Sequence, residues 1–185
     1  MQRATKTFSL GLTAFVCFHF TITLAHADTI YVADSNLETI EKLDPTGSGS
    51  VFANSVSGLR DPRPLAFDSS GNLYVANYTS NTILKFDPSG HATLFASSGL
   101  SAANGLAFDG AGNLYVSNIF SNTIVRFDPG GNPSLFANSG LNQPSALACD
   151  SSGNLYVANI GNGSIEKFDS SGHGAFFASF GLSAP

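Results

Sequence analysis

Aspartate is the most frequent side chain in this sequence that could act as an acid, a base or a metal ligand. Seven of the ten aspartates begin an Asp-x-x-Gly segment, and they are Asp44, Asp68, Asp87, Asp109, Asp128, Asp150 and Asp169. Three of these segments, at 44, 87 and 128, read Asp-Pro-x-Gly. That order of residues is typical of a type I turn, in which the carboxylate accepts hydrogen bonds from nearby backbone N–H groups. The spacing therefore predicts turns rather than catalytic or metal-binding carboxylates.

The other reactive side chains are too scattered to form a catalytic site. His91 and His173 each follow the glycine of one of these turns, and the glutamates are widely spaced. The sequence contains no His-x-His pair, no Cys–His cluster and no Gly-x-Ser-x-Gly segment, which are patterns of zinc sites and of serine nucleophiles. We therefore predict no catalytic residue, no metal ligand and no cofactor.

Polar and aromatic side chains that follow predicted strands are the best candidates for binding. The candidate ligand-binding residues are Asp34, Asn77, Asn118 and Asn159, which each end a strand, and the loop residues Tyr78, Phe120, Arg60 and Arg63. Exposed aromatic rings beside amides suit a polar or carbohydrate-like ligand, or an unknown protein partner. The alternative is structural, because an asparagine after a strand commonly makes an Asx turn.

The element that must position these residues is a repeat of 41 residues. Gly-Asn-Leu-Tyr recurs at 71–74, 112–115 and 153–156. Each unit holds four short apolar runs separated by turn residues, which in the second unit are 65–67, 73–76, 82–86 and 93–96. A four-stranded antiparallel sheet repeated at this period is a β-propeller blade. The predicted fold class is therefore all-β, a propeller with about four blades.

The string from Leu65 to Asn77, followed by Ile-x-Lys/Arg-Phe-Asp-Pro, resembles the NHL repeat. It is also similar to the YVTN repeat and to the blades of streptogramin lyases and the gluconolactonase group, over residues 29–180. The resemblance implies a ring of the six-bladed type. It also implies that an enzyme of these groups would need acidic and histidine residues at the ring centre. No position of this sequence matches them, so none is transferred.

Residues 1–27 have the pattern of a secretory signal peptide. Arg3 and Lys6 precede an apolar run, and Ala25-His-Ala27 forms a small-x-small cleavage site. We predict a secreted or periplasmic propeller of residues 28–185 with no stable membrane span after cleavage; the alternative is an uncleaved anchor. Removing Arg3 and Lys6 from the 8 basic residues leaves 6 against 13 acidic ones, a net charge of 6 − 13 = −7. That acidic balance, without basic clusters, argues against nucleic acid as a partner.

The predicted blades span 28–57, 58–98, 99–139 and 140–180, and the first of them lacks its innermost strand. This leaves the strand at 29–33 with an unpaired edge. We expect either a truncated product of a longer gene that encodes about six blades, or a four-bladed ring with one incomplete blade. Self-association through the open ends is a further expectation. The predicted function is a secreted, non-enzymatic binding or interaction module. The alternative is a fragment of a streptogramin-lyase-like or gluconolactonase-like enzyme whose catalytic residues lie outside this chain.

Overall fold

The computed structural model of this chain describes the strand at 20–25 and residues 29–179. They form four antiparallel sheets of four strands each. The prediction of an all-β propeller built from four-stranded blades is confirmed. Among these residues no helix is long and apolar enough to cross a bilayer. The signal-peptide prediction concerns residues that lie mostly outside this range, and it stays a prediction.

The strands follow one another in sheet order within every blade. The first blade contains β1 (Phe20–Ala25), β2 (Thr29–Asp34), β3 (Thr39–Leu43) and β4 (Gly49–Ala53). The second contains β5 (Pro62–Phe67), β6 (Leu73–Asn77), β7 (Thr82–Phe86) and β8 (Ala92–Ala96). The third contains β9 (Ala103–Phe108), β10 (Leu114–Asn118), β11 (Thr123–Phe127) and β12 (Pro133–Ala137). The fourth contains β13 (Pro144–Cys149), β14 (Leu155–Asn159), β15 (Ser164–Phe168) and β16 (Gly174–Ser179).

The prediction that the first blade lacks its innermost strand is wrong. Strand β1 pairs antiparallel with β2, from Phe20 opposite Asp34 to Ala25 opposite Thr29. The predicted free edge at 29–33 is therefore occupied in this structure. The segment Phe-Thr-Ile-Thr-Leu-Ala is rich in β-branched residues, which favour strands. The sequence analysis assigned this segment to the signal peptide, because an apolar run is typical both of a signal peptide and of a strand.

The hydrophobic core lies between neighbouring blades, because both faces of each inner sheet carry apolar side chains. Inner strands pack in the order β1, β5, β9 and β13 around a common axis. Between the first two blades, Tyr31 meets Phe52 and Phe67 edge to face, each with ring centroids 5.1 Å apart. The same arrangement recurs one blade later with Tyr74, Phe95 and Phe108. Such pairs contribute about 0.5–1.5 kcal/mol beyond their buried area.

At the third interface Cys149 stands where the earlier blades place a phenylalanine. Tyr115 keeps its contact with Phe136, with centroids 4.8 Å apart. The smaller Cys149 side chain is half-buried. Phe67 and Phe108, which occupy the same position in the second and third blades, are partly buried as well. Burial, followed by the nearby charges of Asp109 and Asp150, raises the pKa of the Cys149 thiol to about 11.

Antiparallel pairing divides the connections between two edges of the propeller. The Asp-x-x-Gly turns all lie at one edge, which we call the turn edge. The connections from each second strand to its third strand, and those that lead into the next blade, lie at the opposite edge, which we call the loop edge. At the turn edge, all seven predicted turns have the glycine N–H donating to the aspartate carbonyl, at 2.9–3.1 Å.

Candidate functional site

At the turn edge the polar side chains are used to hold the backbone. Asp68 Oδ1 accepts from the amides of Ser70 and Asn72, each at 2.9 Å, and its Oδ2 accepts from Asn72 Nδ2 at 2.7 Å. Lys85 Nζ lies 3.8 Å from Asp68 Oδ2. Although burial raises the pKa of Asp68, the bonds from Asn72 and Ser70 and the charge of Lys85 bring it below its usual value.

The three candidate asparagines at the loop edge are internal to the fold. Asn118 Oδ1 accepts from the Ser101 amide at 2.9 Å, and its Nδ2 donates to the Gly99 carbonyl at 2.9 Å and to Thr123 Oγ1 at 3.2 Å. Asn77 and Asn159 make the corresponding three bonds in their own blades. All three side chains are buried. They tie the end of the second strand to the loop that enters the blade, which leaves no free amide group for a ligand.

Asp34 occupies the same place in the first blade and makes a different set of bonds. Its Oδ1 accepts from the amides of Asn36 at 2.9 Å and Leu37 at 3.0 Å, which is an Asx turn. The alternative interpretation given for the asparagines therefore describes Asp34.

Three of the predicted binding residues come together at the loop edge. The Arg63 guanidinium carbon lies 3.5 Å from the centre of the Tyr78 ring, a cation–π stack. The ring of Tyr78 meets that of Phe120 edge to face, with centroids 6.0 Å apart. Phe120 is 73% exposed, more than any other phenylalanine or tyrosine in the described residues. We call Asp61, Arg63, Tyr78, Thr79 and Phe120 the loop-edge cluster.

Asp61 fixes the arginine of this cluster. Its two carboxylate oxygens accept from Arg63 Nε at 3.0 Å and from Nη2 at 3.1 Å, a two-bond ion pair between residues two positions apart. Thr79 Oγ1 donates to Asp61 Oδ2 at 3.1 Å, and the Tyr78 amide donates to the Asp61 carbonyl at 3.0 Å. Asp61 has φ +50, a left-handed conformation uncommon for non-glycine residues. The sequence analysis did not select Asp61 or Thr79 as binding residues; the signal for Asp61 is its place two residues before Arg63.

Arg60, the remaining candidate, lies beside the cluster and is held by other groups. Its Nη1 lies 3.4 Å from Glu38 Oε2 and donates to the carbonyls of Ser55 and Leu59. The loop that carries it has eight residues, 54–61, whereas the corresponding loops have six, 97–102 and 138–143. The longer loop contains a short 3-10 turn of three residues, Ser55–Ser57.

The inner strands carry different polar residues at the position of Arg63. In the third and fourth blades this position is Asn104 and Ser145, and Asn104 Nδ2 donates to Ser145 Oγ at 3.0 Å. Ser117 Oγ donates to the Ser145 carbonyl at 2.6 Å, so these bonds join two blades. A Cβ at Gly105 would clash with the Ser145 carbonyl, which explains why a glycine lies where these inner strands approach each other. Among the described residues no three His, Cys, Asp or Glu side chains gather as a metal site would require.

No protein-family profile matches the chain, and no curated protein matches it significantly. Solved structures do resemble it. A streptogramin B lyase structure matches with a TM-score of 0.78 and 18% identity over 90% of this chain and 56% of its own. A gluconolactonase from Xanthomonas campestris matches with a TM-score of 0.75 and 19% identity over 86% of this chain and 61% of its own.

A third similar structure comes from a protein complex rather than an enzyme. A chain of a nidogen/laminin complex matches with a TM-score of 0.74 and 24% identity over 84% of this chain and 61% of its own. The chain therefore spans well under two thirds of the length of the structures it resembles. The predicted resemblance to this group of propellers is confirmed at the level of the fold. Both enzymes and an interaction protein occur among these neighbours.

Proposed function

We propose that this protein is a secreted, non-enzymatic binding module whose ligand docks on the loop-edge cluster. The observation that carries the proposal is the Arg63–Tyr78–Phe120 stack, in which a fixed cation and an exposed ring stand side by side. Asp61 holds the guanidinium in one orientation before any ligand arrives. A side chain that is already ordered loses less entropy on binding, so its contacts contribute more to affinity.

The cluster suits a ligand with a flat ring or sugar face and an oxygen acceptor at its rim. Arg63 uses Nε and Nη2 for Asp61, and a guanidinium has five N–H donors, so Nη1 keeps donors for a hydroxyl or carboxylate. Phe120 offers an apolar surface next to Tyr78, with the two ring centroids 6.0 Å apart. A carbohydrate-like ligand would stack on Phe120 and accept from Arg63.

The test is binding to a printed array of neutral and uronic-acid oligosaccharides. We expect wild-type protein to bind a subset, and Phe120→Ala to lose about tenfold or more in affinity because it removes the exposed ring. Leu135→Ala is the matched control, since Leu135 is 61% exposed but lies on the outer strand β12, away from the cluster. Equal binding by both variants, or no binding by wild type to any sugar, contradicts the proposal.

Export is a separate part of the proposal and has its own test. We propose cleavage after Ala27, on the pattern of Ala25-His-Ala27. Cleavage there would remove β1 from the first blade and leave one edge of β2 unpaired. Intact-mass measurement of the secreted protein decides it: a mass beginning at Asp28 supports cleavage, and a mass that includes residues 1–27 contradicts it.

The second candidate function is an enzyme fragment of the streptogramin-lyase or gluconolactonase type. The specific observation in its favour is that solved structures with those names share this fold. On this alternative the catalytic residues lie in blades outside this chain. Gene sequence beyond Pro185 that encodes further blades with histidine and glutamate at the ring centre would favour the enzyme over the module.

A further inference from the structure

The fourth blade has an Asn-Gly pair, Asn162-Gly163, in the hairpin loop between β14 and β15. The corresponding loops of the second and third blades have the same length and carry Ser80-Asn81 and Ser121-Asn122 at this place. Gly163 has φ +63, and the two asparagines in its place have φ +52 and +51, so the backbone of the three loops is alike. The loop of the fourth blade therefore differs from the other two in its chemistry rather than in its shape.

Asparagine followed by glycine is the pair in which a side-chain amide is most readily attacked by the next backbone nitrogen. Glycine has no Cβ, so its nitrogen can approach the asparagine Cγ without a side chain in the way. Asn162 is exposed, which gives water and hydroxide access to its amide. Ser80 and Ser121 are also exposed although another blade follows each of them, so this exposure belongs to the loop itself.

The attacking nitrogen and the amide that it would attack are both available for the reaction. No turn or loop hydrogen bond of the described residues uses the Gly163 N–H. Ser164 Oγ donates to Asn162 Oδ1 at 2.8 Å. This bond draws electron density away from Cγ, and it stabilises the negative charge that develops on Oδ1 when the nitrogen attacks. Three consecutive residues thus supply the electrophile, the nucleophile and a donor for the oxyanion.

The other Asn-Gly pair of the chain, Asn104-Gly105, lies within strand β9 and is held by its neighbours. Asn104 Nδ2 donates to Ser145 Oγ at 3.0 Å. Gly105 is buried, and the Ser145 carbonyl and Ser117 Oγ crowd the position where a Cβ would lie. Ring closure requires the backbone of the asparagine to rotate, and a strand packed in this way cannot make that rotation. The chain therefore contains one exposed Asn-Gly pair and one protected pair.

We propose that Asn162 is a site of spontaneous deamidation, at which the folded protein converts an amide into a carboxylate. The Gly163 nitrogen loses its proton and bonds to Asn162 Cγ, the Cγ–Nδ2 bond breaks, and Nδ2 leaves as ammonia. Water then opens the cyclic imide at either carbonyl, which gives aspartate or isoaspartate at position 162. The net change is one water consumed and one ammonia released, with no oxidation or reduction.

The product changes the loop edge in its charge and, for isoaspartate, in the course of the main chain. A carboxylate at position 162 is ionised at neutral pH. Ser164 Oγ now joins Asn162 to the buried Asn159, whose Nδ2 donates to it at 3.2 Å. Isoaspartate adds a methylene to the main chain between these residues and so alters that connection. The reaction is confined to the fourth blade, because Ser80 and Ser121 have no amide to lose.

The experiment is peptide mapping by mass spectrometry after the folded full chain has been incubated at mildly alkaline pH. We expect the peptide that contains Asn162 to gain the mass of OH in place of NH2, many-fold faster than the peptide that contains Asn104. The rate should rise with pH, because the Gly163 nitrogen must lose a proton. In urea both pairs should react at similar rates, since the fold no longer distinguishes them.

Gly163→Asn is the matched variant, because asparagine already occupies this place at positive φ in the second and third blades. It should slow the reaction at Asn162 many-fold and leave the melting temperature unchanged. Three results would overturn the proposal: an Asn162 amide that survives the incubation, equal rates at Asn104 and Asn162 in the folded chain, or a wild-type rate at Asn162 in the variant.

Discussion

The two edges of this propeller share the same strands and differ in how they use polar side chains. At the turn edge, seven aspartates repeat one set of backbone bonds, and neighbouring blades are nearly identical. At the loop edge, a buried asparagine repeats in three blades while the residues after it change, from Tyr78 and Thr79 to Ile119 and Phe120. The comparison teaches that the residues that repeat between blades stabilise the fold. The residues that vary are concentrated at the loop edge, where the proposed ligand would bind.

The largest expected effect is a loss of stability in acid, when the carboxylates of the turn edge become protonated. Hydrogen bonds lower the pKa values of six turn aspartates, namely Asp44, Asp68, Asp87, Asp128, Asp150 and Asp169. A depressed carboxyl pKa stabilises the fold above the unfolded-state pKa, near 4, and that stability is lost as pH falls through the folded-state values. We expect the melting temperature to drop steadily below about pH 4. An unchanged melting temperature down to pH 2 would contradict the structural role of these turns.

The next effect concerns the constant residue of the loop edge. Asn118→Ala should lower the free energy of unfolding by about 3 kcal/mol, because it removes the three hydrogen bonds that this buried amide makes with Gly99, Ser101 and Thr123. Urea unfolding measures it, with the exposed Asn36→Ala as control. A loss equal to that of the control would mean that the asparagine is not part of the framework.

A single turn should matter less than the buried amide. Asp68→Ala removes the bonds from Ser70 and Asn72, and we expect a loss of about 1–2 kcal/mol in the free energy of unfolding. Ser69→Ala, exposed in the same turn, is the control. The acid sensitivity of the Asp68→Ala variant should also be weaker than that of wild type. If both variants unfold at the same urea concentration as wild type, this carboxylate does not support the turn.

The smallest expected effect on stability is at the variable part of the loop edge. Phe120→Ala should change the free energy of unfolding by no more than about 0.5 kcal/mol, since the ring is largely exposed. Ile124→Ala, four residues later and fully buried, should cost about 2–5 kcal/mol in the same assay. A large loss for Phe120→Ala would show that the ring supports the fold, and the contrast between the two kinds of loop-edge residue would fail.

Prediction from the sequence was most accurate where structure depends on local chemistry. The strands of the second blade were expected at 65–67, 73–76, 82–86 and 93–96. Strand β7 agrees, β6 and β8 are each one residue longer, and β5 begins three residues earlier, at Pro62. The turns were predicted because Asp, Pro and Gly act within five residues. Strand β1 was missed, since its pairing with β2 is a contact between strands that an apolar run does not reveal.

The candidate site was also predicted only where local chemistry decides the structure, and its contacts between distant residues were not. Asn77, Asn118 and Asn159 stood out by their repetition, but whether such an amide faces solvent or a neighbouring loop depends on residues 17 to 19 positions away. In the sequence, Tyr78 and Phe120 are not even equivalent positions of their blades. Their contact could be found only when the blades were placed side by side.

The sequence by itself determined the repeat, the turns, the four-stranded blade and the alternation of apolar residues, because each depends on neighbours within about ten positions. The tertiary structure decided which side chains are used within the fold and which remain free: it buried the asparagines, stacked Arg63 on Tyr78 and left Phe120 exposed. The physical reason is that burial and side-chain contact between blades depend on the angle and register of whole sheets. Those quantities are set by packing of the entire chain and are not encoded in any single segment.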